Sequence, residues 1–238
     1  MTSPAAPLVE IQGLVKDYQG LRPLRMRALT IAPGDVVAID GLDAIAAEIF
    51  VHVITGATLP DSGEVSLFGR NTRSITDGDA WLKSLDQVGM VTARGILIEA
   101  FTVLQNVAMS LTLDVDPIDP RVLPEAGALA REVGLDPAGF DLPTGRTSGG
   151  VKMRVHLARA LALGPRVLIA EHPSATLPRD AVAGFAADLA KVARSRGLGL
   201  LALTSDDAFA KGLGGRRLVL NGGTGELKPV GLFKKLFG

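Results

Sequence analysis

The chain has 238 residues, with Lys+Arg 25 balanced by Asp+Glu 25, three histidines and no cysteine. Its length allows one large or two small domains, and 47% apolar residues are ample for a buried core. Zero net charge argues against a general nucleic-acid binder, and the lack of cysteine excludes a disulfide framework, a thiol nucleophile and thiolate metal centres. Three scattered histidines (His52, His156, His172) give no His-rich metal site. No apolar run approaches the roughly 20 residues of a membrane-spanning helix. Residues 1–7 carry neither a basic nor an apolar leader segment, so no signal peptide is expected. A soluble, cytoplasmic protein is the expectation.

Residues 8–13 and 25–31 read as short strands, and Pro33-Gly34 is a turn before the buried strand 35–40. A helix follows over about 44–54, closed by Gly56. The turn Pro60-Asp61-Ser62-Gly63 leads into a strand at 64–68. From about 77 to 145 the pattern changes to a short helix at 81–85, a strand at 88–91, and helices at 101–113 and 123–133. The Asp- and Pro-rich stretch 114–124 reads as a loop between those helices. Then helix and strand alternate: helix 150–163, strand 167–170, helix 181–194, strand 198–204, a short helix near Ala208, and a strand at 217–220. Strands separated by helices of ten or more residues predict a mostly parallel sheet covered on both faces, with a helical subdomain inserted in it.

Several short motifs stand in a fixed order. Gly41 begins the turn between a strand and a helix, and Ile54-Thr55-Gly56 precedes Pro60-Asp61-Ser62-Gly63-Glu64-Val65. Thr102-Val103-Leu104-Gln105-Asn106-Val107 opens the helical stretch. Thr147-Ser148-Gly149-Gly150-Val151 leads into Arg154 and Leu157-Ala158-Arg159-Ala160-Leu161, and Glu171-His172-Pro173 ends the next strand. In this order and spacing the chain resembles ABC-type ATPases over about residues 8–227. The resemblance implies a P-loop NTPase-like α/β nucleotide-binding domain with an antiparallel β lobe. It spans residues 1–238 as a single domain, with the helical subdomain at about 77–145.

Carried over position by position, the resemblance is to a member that has lost its catalytic residues. Ala47 stands at the phosphate-binding lysine and Glu48 at the magnesium-binding Ser/Thr, while Ala44 and Ala46 replace two loop glycines. Ala93 stands at the glutamine that contacts magnesium and water, and Glu171 replaces the Walker B aspartate. His172 replaces the general-base glutamate, Pro178 the D-loop aspartate and Ser205 the histidine that senses the γ-phosphate. Tyr18, at the adenine-stacking position, and Gly41 are the weak remaining contacts to a nucleotide of its own. Glu48 reads as a solvated carboxylate near a helix start, and His172 as a structural replacement.

Ser148-Gly149-Gly150 is intact, at the start of a predicted helix where free N–H groups can face a phosphate. In the ABC family this motif acts across a dimer on the partner's nucleotide. The resemblance therefore implies a cytoplasmic subunit, peripheral at the inner face of the membrane and unable to hydrolyse ATP itself. ATP and Mg2+ would enter through a motif-complete ABC ATPase partner, transmembrane permease subunits would dock on the helical insertion, and nucleic acid is not a partner. A nucleotide-free scaffold is the alternative, and an unconventional ATPase built on Glu171 and His172 a third reading. The C-terminal stretch 232–237 alternates apolar residues with lysines and reads as a tail or a local packing segment.

Overall fold

The computed structural model describes residues 6–231. The amphipathic stretch 232–237 and most of the N-terminal leader reading lie outside the described residues. In chain order the elements are β1 (Val9–Lys16), β2 (Leu24–Ile31), β3 (Val36–Asp40), α1 (Ala44–Thr55), β4 (Ser62–Leu67) and β5 (Arg70–Asn71). There follow α2 (Gly78–Leu85), β6 (Val88–Thr92), α3 (Val103–Ala108), α4 (Leu123–Glu132), α5 (Gly149–Leu161) and β7 (Val167–Glu171). The chain ends in α6 (Arg179–Ser195), β8 (Gly199–Leu203), α7 (Asp207–Leu213), β9 (Arg216–Asn221) and β10 (Glu226–Pro229).

Two sheets share the work. The first is antiparallel, ordered β2-β1-β4-β5, with Val9 opposite both Ile31 and Leu67. The second is ordered β10-β9-β3-β8-β7-β6, and only β10 runs antiparallel to its neighbour. Its central strands are apolar almost throughout because helices or the first sheet cover both faces. Val37, Ile39, Ile169, Leu201 and Leu203 pack toward the antiparallel sheet and α1. Val36, Ala38, Leu168, Ala170, Leu200 and Ala202 pack on the opposite side, in the core that includes α5, α6, α7 and the helical insertion. The α/β fold with an antiparallel lobe and a helical subdomain is as the sequence implied. No helix among the described residues is long and apolar enough to cross a membrane.

Two details differ from the sequence reading. The helix expected over 101–113 is only α3, Val103–Ala108. Thr102 caps it through a reciprocal box with Gln105, and Ser110 turns its hydroxyl back to the Val107 carbonyl as the helix ends. The apolar period continues past that point, yet Leu113 is exposed. The edge strands β5 and β10 were not anticipated, since one has two residues and the other ends in Pro229.

Candidate functional site

The loop from β3 to α1 is built around Gly41, whose φ of 98° favours glycine. A Cβ there would lie 2.6 Å from the Leu220 carbonyl oxygen of β9. Asp43 then caps α1, its carboxylate accepting the Ala46 amide at 2.8 Å. A carboxylate of the chain itself thus satisfies an amide at the helix N-terminus, where anions otherwise bind. Ala47, in the first turn and a half, has no exposed surface and belongs to the core beside the antiparallel sheet. Ala46 is buried too, while Ala44 is exposed.

Glu48, expected as a solvated carboxylate at a helix start, is part-exposed and also paired. It is the fifth residue of α1, and its Oε2 accepts from Arg94 Nη1 at 2.5 Å. Arg94 Nη2 also donates to both oxygens of Glu171, at 2.6 and 2.8 Å. Strand register explains the meeting, because Thr92 of β6 lies beside Glu171 of β7 and Arg94 follows two residues later. Glu171 is 3% exposed, so its charge depends on this partner. Hydrogen bonding to Glu171 above all, with Glu48 adding to it, holds the Arg94 guanidinium above its usual pKa against the opposing effect of burial. Three elements are joined by one side chain, and the trio keeps one net negative charge. Arg94 was missed in the sequence; the available signal was a cation directly after Ala93.

Ala93, His172 and Ser205 follow the carboxyl ends of the parallel strands β6, β7 and β8. Ala93 is half-buried in the turn after β6. His172 follows Glu171 with φ 41°, its amide donating to the Leu203 carbonyl at 2.9 Å and its Nε2 buried without a partner. Ser205 is exposed beside a small pocket with Asp40, Asp206 and Arg217, and Pro178 precedes α6. Tyr18 is half-buried against the antiparallel core, and burial, then the Asp43 carboxylate, raises its pKa.

At the start of α5, Ser148 is exposed and caps the helix by accepting the Val151 amide at 3.3 Å. Gly149 is required there because a Cβ would come within 2.7 Å of the Thr176 carbonyl oxygen. Gly149, Lys152, His156 and Thr176, with Ala93, Gly95 and Glu99, line an open groove of about 440 Å³. The N-terminus of a 13-residue helix thus faces outward next to this groove.

A family model described as ABC transporter matches residues 24–175. The lipoprotein-releasing system ATP-binding protein LolD of Myxococcus xanthus is 32% identical over 91% of this chain and 97% of its own length. The chain belongs to the ABC transporter family. The methionine import ATP-binding protein MetN of Brucella abortus is 28% identical over 92% of this chain, which spans 58% of the MetN length. Among solved structures, cbiO1 from Clostridium perfringens, part of the ABC transporter complex cbiONQ, superposes with a TM-score of 0.75 at 22% identity. That match covers 93% of this chain and 87% of cbiO1. A dimeric, post-hydrolysis ATP-binding cassette bound to ADP and Pi gives 0.72 at 23% identity, covering 93% and 98%. Both share the fold.

ABC cassettes bind ATP with Mg2+, and the residues of this chain's own loop do not fit that pair. The Asp43 carboxylate stands at the helix terminus that a phosphate needs, and Ala47 supplies no cation. Arg94 holds the two carboxylates between which a metal would have to enter. A triphosphate approaching there meets net negative charge rather than a lysine and a dication.

Proposed function

We propose that the chain is a hydrolysis-deficient ATP-binding-cassette subunit that completes an ATP site on a motif-complete partner. The observation that carries the reading is an asymmetry: the chain's own loop is closed by its own charged groups, while at the start of α5 Ser148 is exposed, Gly149 half-buried and Gly150 buried behind them. In this reading the partner supplies the lysine, the magnesium ligands and the general base. ATP with Mg2+, bound by the partner, supplies the reactive phosphate. Ser148 and the α5 amides orient its outer phosphate from across the interface, and the own site of this chain stays empty. Residues 1–238 act as a single cassette with the insertion at about 77–145. The subunit works in the cytoplasm at the inner face of the membrane, on transmembrane permease subunits. A groove of about 330 Å³ between β6 and α5, with Ile96 and Leu163 exposed at it, supports docking of an apolar segment there.

The test is reconstitution with the motif-complete ATPase subunit. Ser148→Arg is expected to lower ATP hydrolysis by the complex more than about 100-fold, through clash and loss of the helix-terminal contact. Unchanged hydrolysis would reduce the motif to a helix cap and leave the nucleotide-free scaffold as the function.

A further inference from the structure

We propose that Arg94 is a built-in cation: its half-exposed guanidinium takes the place between Glu48 and Glu171 that a divalent metal would need, and fastens the segment 93–99 to the sheet without nucleotide. The contacts run from one side chain to α1 at Glu48 and to the end of β7 at Glu171. A carboxylate as enclosed as Glu171 must be paired, and among the described residues Arg94 is the cationic side chain bonded to it. Guanidinium suits the task because its planar fork matches a carboxylate with two bonds and never deprotonates.

The rest of the segment is held the same way, by protein groups alone. A Cβ on Gly95 would lie 2.6 Å from the His156 ring, so ring and backbone are in close contact. The Ile96 carbonyl accepts from Arg159 Nη1 at 3.0 Å. Ile98 exchanges both backbone groups with the Asn106 side chain, its amide donating at 2.9 Å and its carbonyl accepting at 3.0 Å. Four anchors within five residues leave nothing for a bound metal or nucleotide to order. The link between sheet and helical insertion is therefore permanently engaged, whatever the nucleotide state of a partner.

Hydrogen exchange of the purified full-length chain, read over peptides covering 93–99, tests this together with Mn2+ titration followed by electron paramagnetic resonance. The wild type is expected to take up no Mn2+ saturably and to show the same exchange with and without Mg·ATP. R94A leaves two carboxylates facing one another, so exchange over 93–99 should rise at least about tenfold, Mn2+ should bind saturably, and Mn2+ should restore protection. Saturable Mn2+ uptake by the wild type, protection by Mg·ATP, wild-type exchange in R94A, or folded R94A that ignores Mn2+ would each overturn the proposal. Should R94A fail to fold, E48Q keeps the pairing of buried Glu171 and is expected to speed exchange over 93–95 several-fold; unchanged exchange there overturns the proposal equally. Neither readout uses a partner or ATP turnover, so its failure and that of the composite-site reading are distinguishable.

Discussion

The loop at the start of α1 and the start of α5 are both helix N-termini at the edge of one fold, and they have opposite characters. At α1 the Asp43 carboxylate takes an amide, Ala47 is sealed in the core and Arg94 fills the gap between Glu48 and Glu171. At α5 the cap is an uncharged hydroxyl, the following glycine admits the Thr176 carbonyl, and Ser148 faces outward. On the function proposed above, the difference teaches that loss of a ligand site need not leave a void. Groups of the same sign as the missing ligands, a carboxylate for a phosphate and a guanidinium for a metal, stabilise the fold without them. The α5 end has no carboxylate on its terminus, its cap being the exposed Ser148 hydroxyl.

The polar knot of the helical insertion, next to the α5 end, should be the most sensitive place of those compared. Asn106 has no exposed surface, accepts from the Ile98 amide and donates to the carbonyls of Ile98 and Thr102. Asn106→Ala leaves the Ile98 amide without its acceptor, while the Ile98 and Thr102 carbonyls keep other donors, and the lost bond with the space left behind should cost about 2–3 kcal/mol in urea unfolding. The other end of the comparison should respond less. Ala47→Lys must force three added methylenes and an ammonium out of a filled core position, costing about 1–3 kcal/mol. Calorimetric titration should still detect no ATP binding. An A47K chain of wild-type stability that binds ATP would break the contrast, placing the α1 loop one residue from function.

Much of this contrast was legible in the residues, and the part that was not has a physical reason. The apolar runs of β3, β7 and β8 and the Thr102–Gln105 box announce their elements through local periodicity and capping. The absence of a lysine at Ala47 is equally local. Arg94 is different, because it meets Glu48 and Glu171 across separations of 46 and 77 residues. Only the register of β6 against β7 brings them together, and no spacing rule encodes it. Charge counting along the chain therefore gives Glu48 no partner, although its side chain does keep part of its solvent contact. The over-long helix at 101–113 has the same origin in reverse: its apolar period persists, while the helix stops at Ala108 and the Ser110 hydroxyl bonds back to the Val107 carbonyl.

The junction between the two regions should titrate. His156 of α5 packs on Gly95, and burial first, then the Arg159 charge, lowers its pKa to about 4. Asp86 lines the same groove with Arg159. The unfolded imidazole titrates near 6.5, so between those values the unfolded chain binds more protons. The stabilisation is complete above about pH 6.5 and is lost as pH falls toward 4. Allowing for solvent screening of a partly exposed ring, the loss should be about 1–2 kcal/mol. Urea unfolding at neutral pH and near pH 4.5 measures it, and His156→Gln should flatten that part of the profile. A slope that survives the substitution would assign the effect to another group.

The smallest stability change sharpens the comparison most, because it separates the cap from the chemistry at α5. Ser and Asp are nearly equal as N-caps, and a carboxylate gains from the helix dipole. Ser148→Asp should therefore keep the Val151 amide satisfied and alter unfolding stability by less than about 0.5 kcal/mol. It also gives α5 the feature that closes α1, a carboxylate on the helix terminus. Placed about 4 Å from a partner's phosphate, that charge would repel it by roughly 4 kcal/mol at an intermediate dielectric. Hydrolysis by the reconstituted complex should then fall by about two to three orders of magnitude in a chain that is as stable as the wild type. Ser148→Asn, an equally good cap without the charge, should retain most of the activity. If Asp and Asn behave alike in both assays, no phosphate approaches α5, and its exposed start serves only to cap a helix.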